Sequence, residues 1–187
     1  MELRSVDHEA AEIRMENIDG RDRLTGYAAV YNRLSQDLGG FVERIKPGAF
    51  DAVLANQPDV IAAFNHDPSQ LLGRTRSGTL QLISDERGLK YMIDLPTTRA
   101  DIAELVKRGD LRGSSFAFSI QQGGDKYAIE DGVQVRTIYR FQNLFDVGPV
   151  TNPAYLDTTV AMRSLEAARQ ALPVGSCEWL RLRLKIA

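Results

Sequence analysis

His66, Ser115 and Asp146 are a base, a hydroxyl nucleophile and an acid, met in that order along the chain. These are the residue types that serine acyl transfer requires. The imidazole takes the hydroxyl proton as the oxygen attacks a carbonyl, and the carboxylate orients the ring and stabilises the imidazolium. His66 stands in Phe64-Asn65-His66-Asp67, Ser115 in Gly113-Ser114-Ser115-Phe116-Ala117-Phe118, and Asp146 in Leu144-Phe145-Asp146-Val147-Gly148. A metal site has less support. His8 is the only other histidine, and the chain has neither HExxH nor a CxxC pair.

Strand parity sorts the candidates. Alternate residues of a strand face opposite sides. Ser114 shares a side with Phe116, Phe118 and Ile120, whereas Ser115 lies with Ala117 and Ser119. The aromatic side reads as core, which leaves Ser115 on a face of small residues that a substrate backbone can approach. Phe141, Phe145 and Val147 likewise share a side and leave Asp146 on the other. Phe64 falls on the side of His66, a mismatch that the strand-end position softens.

Each residue also has a plainer reading. His66 is then a strand-end histidine bonded to Asp67 or to solvent, Ser115 an inert strand serine, and Asp146 a solvated acid. Two turns offer backbone N–H groups for an oxyanion hole, one over 109–113 and one over 148–155. The sequence does not choose between them. Arg74, in Leu72-Gly73-Arg74, is a further candidate to reach the site, or an ordinary surface arginine.

The elements that must position these residues are mostly strands. Apolar alternation predicts strands over 13–18 and 24–31 about Asp19-Gly20, a short strand over 41–45, and a meander over 71–76, 79–83 and 89–95. Val60 leads an apolar run into His66. Pro47 suits the first turn of a helix with Phe50, Val53 and Leu54 on one face. A second helix has Thr98 as N-cap with Asp101 in the capping-box position, Ile102, Leu105 and Val106 as its buried stripe, and Gly109 as its stop. Strands follow over 114–121, 126–130 and 133–150. Beyond Thr159 a helical run over 163–172 ends at Pro173, and leucines alternate with basic residues over 180–185. The pattern predicts a mainly β fold with flanking helices, of the α+β kind. It divides into an N-terminal arm (1–9), a catalytic domain (10–162) and a C-terminal helix and tail (163–187).

The 187 residues suit one domain with a sizeable core. A net charge of −2 argues against a dedicated nucleic-acid surface. A single cysteine, Cys177, rules out an internal disulfide and suits a reducing compartment. No apolar run approaches the roughly 18 residues that span a bilayer, and the first residues lack the apolar core of a signal peptide. These features predict a soluble cytosolic protein.

Six segments in order resemble the prohead (head maturation) protease family of tailed bacteriophages. They are Gly26-Tyr27-Ala28-Ala29-Val30-Tyr31 with Phe41-Val42-Glu43-Arg44-Ile45-Lys46-Pro47-Gly48-Ala49-Phe50; Asn65-His66-Asp67; Leu72-Gly73-Arg74-Thr75; Gly78-Thr79-Leu80 with Gly88-Leu89; Gly113-Ser114-Ser115-Phe116-Ala117-Phe118; and Val150-Thr151-Asn152-Pro153-Ala154-Tyr155. The resemblance implies a serine endopeptidase acting inside the procapsid, within the host bacterial cytoplasm. Its implied partners are the major capsid protein or its scaffolding segment, and the enzyme itself through self-cleavage, with a homo-oligomer as a possible active form. It implies no cofactor and no metal, no direct nucleic-acid partner and no membrane. The family is distantly similar to the herpesvirus assembly proteases, which implies an assemblin-like β-barrel wrapped by short helices. His66 matches the base and Ser115 the nucleophile, and Asp146 sits where the third member belongs, although members often carry Glu there. Members also often carry a longer charged tail that tethers them to scaffold, and only a short segment follows Arg163 here.

Two other functions compete. A non-enzymatic scaffold or core protein of the phage head would tolerate Ser115→Ala. A small ester hydrolase would turn over a nitrophenyl ester without cleaving peptides.

Overall fold

The computed structural model describes residues 1–152. Twelve strands and three short α-helices follow one another: β1 (Glu2–Val6), α1 (His8–Ala11), β2 (Arg14–Ile18), β3 (Arg21–Val30), β4 (Val42–Ile45), α2 (Asp51–Ala55), β5 (Ile61–Ala63), β6 (Leu71–Arg74), β7 (Leu80–Ser84), β8 (Gly88–Asp94), α3 (Ala100–Arg108), β9 (Gly113–Ile120), β10 (Asp125–Glu130), β11 (Val133–Ile138) and β12 (Phe141–Val150). The helical run over 163–172 and the alternating basic end lie outside the described residues.

Three sheets carry the strands, in the orders β1-β9-β12-β5-β6, β10-β11-β4 and β2-β3-β8-β7. The fold is therefore mainly β with a few short helices. None of these sheets closes on itself among the described residues. The five-stranded sheet places β9, which bears Ser115, against β12, which bears Asp146, and β12 against β5, which leads to His66. Ser115 and Asp146 thus lie on neighbouring strands, and His66 follows the end of a third.

The turn residues largely dictate the connections. Asp19 and Gly20 both have positive φ, 51° and 79°, and join β2 to β3. Gly109 ends α3 in the left-handed region, where its N–H reaches the Leu105 and Val106 carbonyls. At the other end of α3 the expected Thr98 cap is absent. A 3₁₀ turn over Thr97–Arg99 precedes the helix, no side chain caps it, and Asp101 pairs with the Arg99 guanidinium at 3.0 Å. The stretch over 133–150 is two strands, because the N–H groups of Tyr139 and Arg140 both turn to the Gly124 carbonyl.

The core lies on the aromatic side of β9. Phe116 and Phe118 stack at 4.9 Å, Phe50 stacks on Phe141 at 4.2 Å, and Phe118 meets Phe141 edge-on at 5.0 Å.

The N-terminal segment, read from sequence as an arm, forms the edge strand β1 and pairs with β9 in a register that sets Ser5 opposite Ser115. Its charges are buried. The Arg4 guanidinium bonds both carboxylate oxygens of Glu43 and reaches Glu2, and Arg136 contacts Glu2 at 2.6 Å and Glu43 at 3.0 Å. Buried ion pairs add little net stability, but removing one partner strands the others and is costly. The cluster thus fixes where β1 lies.

Candidate active site

Ser115 Oγ lies 2.6 Å from His66 Nε2, and His66 Nδ1 lies 3.2 Å from Asp146 Oδ2. The three side chains form a continuous relay with the imidazole in the middle. The Ser115 hydroxyl is also 2.8 Å from the Arg4 carbonyl, to which it donates. Attack on a carbonyl needs that hydrogen on the side of His66.

The serine pair divides by face. Ser114, on the aromatic side, is fully buried and bonds the Tyr91 hydroxyl at 2.7 Å. Burial raises the Tyr91 phenol well above its ordinary value, with the Ser114 contact pulling it partly back. Ser114 is therefore a satisfied core hydroxyl, and Ser115 is the serine that meets the imidazole.

Asp146 reaches the face of Ser115 by a route that plain alternation does not describe. β12 shifts register against β9 twice, between Phe141 and Asn143 and between Leu144 and Asp146. The second irregularity leaves Phe145 exposed and brings Leu144 into the core, so Phe145 does not share the core side with Phe141 as expected. Asp146 then pairs with Ala117, which lies on the Ser115 face. Burial is the largest influence on its carboxyl and pushes it above the ordinary value; the hydrogen bond and charge of His66 and the Ala63 backbone pull it partly back. Oδ1 is buried with no hydrogen-bond partner.

His66 is not on a strand at all. β5 stops at Ala63, and Phe64–His66 is a 3₁₀ turn in which Asn65 and His66 both have positive φ, 54° and 58°. This left-handed turn sets the ring's direction, so the parity objection from Phe64 does not arise. Asp67 does not pair with His66; its carboxylate accepts from the backbone N–H and hydroxyl of Ser69. Gly148 permits the approach of this segment. A Cβ there would run into the Ala63 carbonyl, which immediately precedes the turn.

A cavity of about 220 Å³ opens on the pair, lined by Leu3, Ser5, Asn65, His66, Ser115, Val150, Thr151 and Asn152. The segment after β12 therefore borders the site, whereas Gly109 and Leu111 line a different cavity. Thr151 N–H is engaged by Asn65 Oδ1 at 2.9 Å and is not free to receive an oxyanion. Residues 153–155 lie outside the described residues. Arg74 makes a two-pronged pair with Asp59, at 2.7 Å for each contact, and does not line this cavity.

Leu3, Ser5 and the Arg4 carbonyl are the participants that the sequence reading missed. Their one signal was the short alternation Leu3-Arg4-Ser5-Val6, too brief to separate from a tail. Among the described residues no group of three or more His, Cys, Asp or Glu could hold a metal, and no helix is long and apolar enough to cross a membrane.

The family described as caudovirus prohead serine protease matches the chain over residues 9–171. No curated protein and no solved structure matches it.

Proposed function

The chain belongs to the caudovirus prohead serine protease family, and from that premise we propose that it is a head maturation endopeptidase with Ser115 as nucleophile, His66 as general base and acid, and Asp146 as the residue that orients His66. The observation that carries this reading is the relay itself, with Ser115 Oγ 2.6 Å from Nε2 and Asp146 at the opposite ring nitrogen. Ser115 gives its proton to His66 Nε2 as Oγ attacks the scissile carbonyl carbon. Asp146 stabilises the resulting imidazolium. His66 passes the proton to the leaving amine, which departs and leaves an acyl-serine. Water, deprotonated by His66, then releases the acyl group and restores the Ser115 hydroxyl.

The substrates that fit are the major capsid protein or its scaffolding segment, and the chain itself, cleaved inside the procapsid in the host bacterium. Residues 10–162 are the proposed protease domain, and β1, from the segment before it, adds the edge strand to its five-stranded sheet. An assemblin-like barrel belongs to the same reading, and the three sheets are its proposed wall. An experimental structure of the full chain with those sheet edges left open would count against it.

Particles assembled from capsid precursor and wild-type protein should yield defined precursor fragments by intact-mass spectrometry. Those assembled with Ser115→Ala should keep the precursor whole. Equal processing in both would reject the proposal.

A further inference from the structure

We propose that Asn65 is a positioning residue, and that its side-chain amide oxygen clamps the His66 turn to the end of the strand that carries Asp146. The inference rests on the reading of His66 and Ser115 given above.

Two consecutive non-glycine residues, Asn65 and His66, sit in the left-handed region. Each such residue is disfavoured and persists only where its surroundings hold it. The His66 ring touches Asp146, which orients it, and Ser115, whose contact must break and re-form as the proton moves. Both contacts are made by the ring, and neither holds the backbone of the turn at Asn65. A hold on that backbone lies outside the relay.

Asn65 supplies one. Its Oδ1 accepts from the backbone N–H of Thr151 at 2.9 Å and from the Thr151 hydroxyl at 3.3 Å. Thr151 directly follows β12, whose last residue Val150 pairs with Gly113 at the start of the nucleophile strand. The clamp therefore ties the His66 turn to the strand that presents Asp146, at the point where that strand is registered against β9. It also spends the Thr151 N–H, so any oxyanion donor comes from elsewhere. Asn65 and Thr151 both border the cavity at the catalytic pair, and the hold is made at its rim.

Substitutions at Asn65 separate the clamp from the backbone conformation. Glycine adopts the same positive φ readily but offers no acceptor. Aspartate tolerates this φ and keeps the acceptor, but loses the amide N–H groups. A fluorophosphonate probe is applied to procapsid particles assembled with wild type, Asn65→Gly, Asn65→Asp, Thr151→Val or Ser115→Ala, with the melting temperature of each protein measured alongside. We expect Asn65→Gly to label about tenfold more slowly, the loss of roughly one well-made hydrogen bond expressed in a rate. Asn65→Asp should label within about twofold of wild type, and Thr151→Val, which keeps the N–H donor, should show a small loss. Asn65→Gly labelling at the wild-type rate overturns the clamp. So does Asn65→Asp labelling as slowly as Asn65→Gly, because the amide N–H groups then matter instead of the oxygen. Wild-type labelling that survives Ser115→Ala, or no labelling of wild type at all, overturns the reading of Ser115 on which the clamp depends.

Discussion

The Ser115 hydroxyl lies 2.8 Å from the main-chain carbonyl of Arg4, so the proposed nucleophile is bonded to the N-terminal strand. The Arg4 side chain is held on the other face of that strand by Glu43 and Glu2, and Arg136 completes the buried cluster. An ion cluster away from the reacting atoms thereby sets an acceptor beside Ser115. Glu43 is its hub, with both Arg4 and Arg136 on its carboxylate.

Glu43→Ala removes that hub and leaves two buried guanidinium groups short of a partner. The expected cost is about 3–5 kcal/mol, read as a fall in melting temperature on the order of 10 °C. Calorimetry checks it. A change within about 1 °C would mean that the cluster does not hold β1 in place.

The acid side of the stability profile follows from Glu2. Burial alone would raise its carboxyl, but the hydrogen bond and charge of Arg136, with Arg4, more than offset this and hold it below its ordinary value of 4.5. A depressed carboxyl contributes stability that is present above its unfolded value and is lost as pH falls through its folded value. Wild type should therefore lose stability below pH 4.5, and Glu2→Gln should show a shallower fall over the same range. Parallel profiles for the two proteins would contradict the assignment.

Asp146 has the opposite sign. Burial raises its carboxyl, so its ionisation works against folding as pH rises above its ordinary value of 3.8. Asp146→Asn should melt no lower than wild type at neutral pH while losing on the order of 10⁴-fold in turnover, because the amide presents the wrong partner to the His66 tautomer. Melting curves and precursor cleavage rates together test this. A variant that melts lower and cleaves normally would contradict both halves.

Gly148→Ala drives a methyl group into the Ala63 carbonyl at the point where β5 hands over to the His66 turn. Overpacking against backbone costs about 1–3 kcal/mol, and the shift falls on the turn that aims the imidazole. Lower stability with slower probe labelling is expected. An unchanged labelling rate would show that the turn is positioned independently of β12.

The two adjacent serines should behave differently. Ser114→Ala strands the buried Tyr91 hydroxyl and costs about 1–3 kcal/mol, yet it should leave precursor cleavage intact once the protein is folded. Loss of cleavage in a stably folded Ser114→Ala protein would move the nucleophile.

Much of this arrangement was legible in the sequence, because side-chain period and turn chemistry are local. The pleat separated Ser114 from Ser115, and Asp19-Gly20 and Gly109 marked their turns. What escaped was non-local. A bulge re-sorted Leu144 and Phe145 and left Asp146 on the expected face, and period-two counting cannot see an inserted residue. Glu2 and Arg4 fall in a segment that reads as an N-terminal arm because their partners, Glu43 and Arg136, are far away in the chain. The direction of His66 depends on two left-handed residues, for which Asn65 was a weak cue.

The most direct test of the account is precursor processing in procapsids assembled with wild type, Ser115→Ala or His66→Ala. The account predicts fragments from wild type, with intact precursor in both variants and assembly unaffected in all three. Processing at the wild-type rate in Ser115→Ala particles would contradict it.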